Sequence, residues 1–364
     1  MDLPIVVVAY NRENTLKRIL SSLSNALINQ NVKLYISIDG HGKPDVLEIA
    51  ENFQWKHGDK QIISHSKNLG LRDHILSCGN LALQHDGIIV FEDDLYVSPF
   101  FYDYVVDAVD FYKNDESIAG ISLYSHCYSE TAQYPFYPLA DSHDVFFLQL
   151  ASSWGQCWTS KQWSEFKSWY DKFAGSYHTL NKKLPPSIET WPESSWKKYF
   201  IKYMIDKNLF FVYPGISLCT NFGDQGVHHV SDNHYQTALL WGKKAFGFTS
   251  FDASFCKYDA YCEILPSCLK KLTNQFNGFE FDVDLYGSKP LDHLLTNYVL
   301  TSRGGKNAIM GFDRKMIPHE ANVIAGIDGS SILFCKKEDV VEQIQPYNNK
   351  RTVYFHRLPR WHIK

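Results

Sequence analysis

Residues 90–96 read Val-Phe-Glu-Asp-Asp-Leu-Tyr, so three carboxylates stand side by side directly behind the apolar run Gly87-Ile88-Ile89-Val90. Adjacent carboxylates repel one another and lose solvation on leaving water, so they either stay on open surface or grip a cation. At the end of a buried strand the cation reading is favoured over a solvated turn. Side chains alternate along a strand, which keeps Glu92 and Asp94 on one side until the strand gives way to loop. A carboxylate at such an edge, with its neighbours on hydroxyls or water, suits a hard divalent ion, Mn2+ or Mg2+. A nucleotide diphosphate would complete the coordination shell, and the ion would neutralise charge on the departing diphosphate.

Something must carry those carboxylates to a common edge. The first 95 residues alternate β-branched runs (PIVVVAY, KLYISIDG, KQIISHS, DGIIVFEDD) with stretches of helical period. In the first such stretch Leu16, Ile19, Leu20, Leu23 and Leu27 recur on one face. Strand and helix in alternation predict right-handed βαβ units, hence an α/β fold with a mostly parallel sheet flanked by helices. Ligands bind such sheets beyond the carboxyl ends of the strands. Three strands end in polar side chains, Asn11-Arg12, Asp39 and Glu92-Asp93-Asp94, and all three should line one crevice.

Further along, the sequence predicts a helix over 99–114, a strand at SIAGISLY, a long loop over 126–145 and a helix at SKQWSEFKSWYDKF. Residues 175–192 read as a connection, SSWKKYFIKYMIDKN as a helix and LFFVYPGISLC as a strand. Beyond 270 the rhythm weakens: FEFDVDLY, NVIAGIDGSSILFC and KRTVYFHRL read as strands around a helix DHLLTNYVLTS. The expected division is a main domain over 1–270 and a small accessory subdomain over 271–364.

Composition narrows the class. Hydrophobic residues make up 45% of 364 and charged ones 21%, a globular balance. The net charge of −4 and the lack of a basic stripe argue against nucleic acid as a partner. No stretch reaches the about 20 apolar residues of a spanning helix. The start MDLPIVVVAYNRE lacks the marks of a signal peptide, so the expected location is cytoplasmic with reduced thiols. The basic-aromatic tail RTVYFHRLPRWHIK offers a peripheral contact with the inner membrane face, although a docked terminus is the plainer reading.

Taken together, PIVVVAYNRENTLKRIL, YISIDG, NLGLRDHIL, IIVFEDDLYVSPFFYDY, ASSWGQCWTSKQW and VYPGISLCTNFGDQGVHH resemble a GT-A glycosyltransferase. The nearest types are the inverting N-acetylglucosaminyltransferase I family and related bacterial enzymes of surface-polysaccharide assembly. The resemblance spans residues 3–235 and is most specific in EDDLYVSPFFYDY. It implies a UDP-linked nucleotide-sugar donor, metal held through the acidic motif, and a glycan or lipid-linked saccharide acceptor. On that resemblance Asp94 ligates the metal, while Glu92 and Asp93 contact the donor's ribose and sugar. Asp39 accepts from the uracil N3–H. Arg12 and Arg72 face the diphosphate, a task suited to a guanidinium. His228 and His229 sit in a glycine-punctuated loop that closes over the donor.

One position departs from the pattern. An inverting transfer needs a carboxylate to take the acceptor's proton, and the family places an aspartate directly after a tryptophan in the segment matching SSWKKYF. Here Lys197 follows Trp196. Glu193 is the preferred base among the nearest carboxylates, with Glu189 and Asp141 behind it. Trp154 and Trp191 offer flat faces to sugar rings, whereas Trp158 and Trp163 read as core. The competing expectation is a non-catalytic relative of the same fold that binds carbohydrate or nucleotide sugar.

Overall fold

The computed structural model describes residues 1–173, 184–224 and 235–341. Along the chain run β1 (Ile5–Ala9), α1 (Glu13–Ser24), β2 (Leu34–Ile38), α2 (Pro44–Asn52), β3 (Lys60–Ser64), α3 (Gly70–Gly79) and β4 (Gly87–Glu92). Then come β5 (Leu95–Val97), α4 (Phe101–Tyr112), β6 (Ile118–Ser122), the small hairpin β7 (Tyr128–Ser129) and β8 (Tyr134–Pro135), and β9 (Val145–Leu148). They are followed by β10 (Gln156–Thr159), α5 (Ser160–Phe173), α6 (Pro186–Glu189), α7 (Trp196–Lys207), β11 (Phe210–Pro214) and β12 (Cys219–Asn221).

The chain forms two compact units. The first comprises residues 1–126, 142–184 and 190–253; the second takes residues 127–141, 185–189 and 254–364. The expected boundary at 270 therefore differs from the observed one, and two short excursions of the main chain join the second unit. Pairings of that kind join residues far apart in sequence and leave no periodic trace in it.

The first unit is built on a sheet with strand order β9-β11-β6-β10-β4-β1-β2-β3. β3, β2, β1 and β4 run parallel, as do β6 and β11; β10 is antiparallel to both β4 and β6, and β9 to β11. This is a mixed, mostly parallel sheet flanked by helices, as the sequence predicts. Its central parallel strands read as apolar runs because they are covered on both faces: every residue of β1 and β2 is buried, whereas edge strand β3 has none. α1 presents Leu16, Ile19, Leu20 and Leu23 to the core, as its period predicts. α7 begins where the Ser195 side chain accepts from the Lys198 N–H and stops at Asn208 in the left-handed region. No helix among the described residues is long and apolar enough to cross a membrane.

The second unit holds β13 (Lys257–Tyr258), α8 (Pro266–Leu272), β14 (Phe281–Asp284), β15 (Tyr298–Thr301), β16 (Gly304–Gly305), β17 (Met310–Phe312), α9 (His319–Ile324), β18 (Ile332–Lys336) and β19 (Val340–Val341). Its main sheet runs β14-β15-β18-β17. Two expectations are corrected here. The predicted helix DHLLTNYVLTS is a single 3-10 turn at Leu291–His293 followed by β15, and the predicted strand NVIAGIDGSSILFC is the end of α9, a turn and β18. Asn322 explains the second case. Its buried amide accepts from the Lys315 and Met316 N–H groups and donates to the Met316 and His319 carbonyls, which fixes a helical turn. A part-buried ion pair, Lys289 Nζ to Asp259 at 2.5 Å, lies in the same unit.

Candidate active site

Because β2, β1, β4 and β10 are neighbours in that order, their ends place Asp39, Arg12, the acidic triplet and Trp154 in a row along one sheet edge. Val8 pairs with Glu92 across β1 and β4. On the far side Gln156, at the start of β10, pairs with Val90, so Trp154 just before β10 comes to the same end of the sheet as the acidic triplet. The three polar strand ends share one sheet edge, as strand polarity predicts, and antiparallel β10 extends the row.

Asp39 is buried at the end of β2. Its Oδ1 accepts from the Gly40 N–H at 2.8 Å and the Leu69 N–H at 2.7 Å, and its Oδ2 from the Gly70 N–H at 3.1 Å. The carboxylate thus anchors the start of α3. Gly40 is needed for this approach, since a Cβ there would lie 2.2 Å from the Lys67 carbonyl carbon.

Arg12, just past β1, bonds both Asp93 and Asp94, the latter at 3.1 Å from Nη1. Burial works against the guanidinium's charge, and the two carboxylates more than offset it, holding its pKa above the ordinary value. Burial likewise pushes Asp93 up to about 6, with Arg12 opposing, and burial together with the neighbouring Asp94 pushes Glu92 up to about 8. The Oδ1 atom of Asp94 is buried with no hydrogen-bond partner among the described residues. A buried carboxylate oxygen without a donor, beside two further carboxylates, fits an oxygen-seeking divalent cation. Among the described residues no three His, Cys, Asp or Glu side chains converge as a metal-binding set. Asp94 would therefore be the protein's share of such a shell, with the remaining ligands coming from diphosphate and water.

The described part of the glycine loop is tied to the same tip. β12 pairs with β5, and the Phe222 N–H reaches the Asp94 carbonyl at 3.4 Å. Arg18 of α1 bonds Asp224 and lies 3.8 Å over the Phe222 ring. Sequence reasoning missed Arg18: its partner is 206 residues away and no local pattern joins them. His228 and His229 lie outside the described residues, as does the C-terminal basic-aromatic tail.

Arg72, expected at the diphosphate, donates instead to Asp73 at 3.0 Å and to the Glu193 carbonyl at 2.9 Å. The Glu193 carboxylate accepts from Lys198 Nζ at 2.9 Å and from the Tyr199 hydroxyl. Lys198 also donates to the Trp191 carbonyl at 3.0 Å. Both Glu193 oxygens are thus engaged in holding the start of α7, and each donor weakens them as bases. Glu189 and Asp141 belong to the second unit.

Lys197 takes a different course from its neighbour. Its Nζ lies over two indole rings, 4.7 Å from the centre of Trp191 and 5.3 Å from that of Trp154. Trp154 also packs against Tyr124 and Tyr235 at 4.8 and 4.5 Å between ring centres. Gly155, with φ +83°, turns the chain behind Trp154, where a Cβ would press on Phe91 at 3.0 Å. Trp158 and Trp163 are fully buried core, as expected.

With this geometry, residues 5–161 match the family model described as "Glycosyl transferase family 2". The match does not support the narrower likeness to N-acetylglucosaminyltransferase I. No curated protein matches the chain. Among solved structures it is similar to S. aureus TarS 1-349 in complex with UDP, at 11% identity over 66% of this chain and 61% of that one, with a TM-score of 0.39. The same protein with UDP-GlcNAc gives 10% identity, 70% and 61% coverage, and a TM-score of 0.37. A mannosyltransferase of Pyrobaculum calidifontis in complex with GDP-Man and Mn2+ gives 7%, 44%, 45% and 0.31. The chain spans about three-fifths of the TarS 1-349 chain it matches.

Proposed function

We propose that this protein is an inverting glycosyltransferase that moves a sugar from a nucleotide-sugar donor, UDP-linked, to a saccharide acceptor. The observation that carries the reading is the row of side chains along adjacent strand ends: Asp39, Arg12, Glu92-Asp93-Asp94 and Trp154. A donor laid along this edge would put its base by Asp39, its diphosphate by Arg12 and its sugar by Glu92. Arg12 would exchange one of its carboxylates for phosphate oxygens, a bidentate contact a guanidinium makes well. A divalent cation on Asp94 would supply Lewis-acid stabilisation of the leaving diphosphate. β12, paired with β5, brings the described residues Phe222 to Asp224 to the same acidic tip.

For Glu193 we propose a structural role, because its carboxylate is bonded to Lys198 and Tyr199. Its replacement by Gln would then reduce stability and leave the pH profile of turnover in place. A kcat loss of orders of magnitude at unchanged stability would return it to the role of base.

The test is release of free nucleotide from a panel of UDP-sugars with Mn2+, with Asp94→Ala beside the wild type. Turnover in the wild type and its loss in the variant are expected; full activity in Asp94→Ala would remove the metal role. Lys197 in place of the family's carboxylate favours a second reading, a donor-binding protein that does not transfer. That protein would bind UDP and release none from any donor.

A further inference from the structure

We infer that Trp154, Trp191 and Lys197 form the acceptor subsite and that Lys197 selects an acceptor saccharide bearing a negative charge. The inference rests on the transferase reading above and adds the substrate class to it.

Position comes first. Arg12 flanks the acidic triplet from the β1 side, and Trp154 flanks it from the β10 side. Lys197 lies with Trp154, and its charge is felt by the Glu92 carboxylate. With Arg12 on the side of the nucleotide, the tryptophan side is where a second substrate would meet the donor sugar. The two indole rings direct their faces at a single point, now held by the Lys197 ammonium. Flat apolar faces of this kind stack on the C–H faces of a pyranose ring.

Charge comes second. Among the described residues Lys197 Nζ has no ion pair and no hydrogen bond, only the two ring faces. The adjacent Lys198, by contrast, is buried and satisfied by Glu193 and the Trp191 carbonyl. Nor does helix stability explain Lys197. It occupies the first turn of α7, where the positive end of the helix dipole disfavours a lysine. A half-buried cation at a helix start, facing aromatic rings and lacking an acceptor, is matched by an anion brought by the ligand. A carboxylate or a phosphate on the sugar would serve, and their common chemistry is an anionic saccharide.

The experiment uses the full chain with UDP and Mn2+ present and titrates in glucose, glucuronic acid or glucose 6-phosphate by calorimetry. One or both anionic sugars should bind about tenfold or more tighter than glucose, as for a charge-assisted hydrogen bond, and the two arms identify carboxylate or phosphate. Lys197→Gln should abolish the preference, and Lys197→Arg should keep it. Equal binding of all three sugars, binding of none, or an undiminished preference in Lys197→Gln overturns the inference. A wild type that binds UDP but releases none from any UDP-sugar sinks the transferase reading instead, whatever the sugar titrations give. Thermal melts of each variant separate lost preference from lost fold.

Discussion

Replacing Arg12 with Gln removes the guanidinium that bonds both Asp93 and Asp94. The Nη1–Oδ2 distance to Asp94 is 3.1 Å, and the side chains of Arg12, Asp93 and Asp94 are 26%, 5% and 14% exposed. Two unit charges about 4 Å apart attract by about 4 kcal/mol at the effective dielectric of such a site. Desolvation of the guanidinium, which the variant no longer has to bear, offsets part of this. Against that stands the cost of leaving two buried carboxylates beside Glu92 with no cation on that side. The expected net loss is about 3 kcal/mol at neutral pH in metal-free protein, read from the shift in urea midpoint at constant m value. A double-mutant cycle with Asp94→Asn should give a coupling of about 1–3 kcal/mol, because the two side chains share a bond. A loss under about 0.5 kcal/mol, the size of an ordinary surface change, or strict additivity in the cycle would refute the electrostatic account of this edge.

His74 is buried against Ser37, and burial lowers its pKa to about 4. The unfolded chain then binds a proton that the folded chain refuses between pH 6.5 and 4, so stability falls as pH falls through that window. Unfolding at pH 7.5 and 4.5 should show up to about 3 kcal/mol from this group, and His74→Gln should flatten the slope. Glu193→Gln should cost about 1 kcal/mol, discounted because that carboxylate is more than half exposed, with urea unfolding as the readout. Gly120→Ala puts a Cβ 2.4 Å from the Phe211 ring in the middle of the sheet, and a loss of about 1–3 kcal/mol in thermal unfolding is expected. Lys289→Met leaves Asp259 as an unpaired carboxylate in the second unit, for a loss of about 3 kcal/mol in the same assay.

The first quarter of the chain, which carries β1 to β4, was legible because the central parallel strands β1, β2 and β4 are buried almost throughout and so read as apolar runs. Their polar ends, Asn11-Arg12, Asp39 and Glu92-Asp94, stand out against that background. Beyond 270 the apolar runs are short, and such runs suit a strand or a helical turn equally until tertiary contacts choose. Asn322 made that choice in α9, and its four bonds are invisible in one sequence. The ribbon of β5 and β12 was missed for a related reason: each strand has three residues and the partners are more than a hundred apart. For the site, residue types showed where carboxylates gather. They did not show that Arg72 and Glu193 are bonded to one another's neighbourhood through a carbonyl, nor that Lys197 points to the two tryptophans.

The three backbone bonds to Asp39 bear on which nucleotides the proposed donor site would admit. They fix the plane of the carboxylate before any ligand arrives, so a nucleobase edge must come to it rather than the reverse. An oxygen with only lone pairs to offer welcomes an imide hydrogen, as uracil carries. Cytosine presents a lone pair at the same ring position and would meet repulsion, so CDP should compete far less well than UDP.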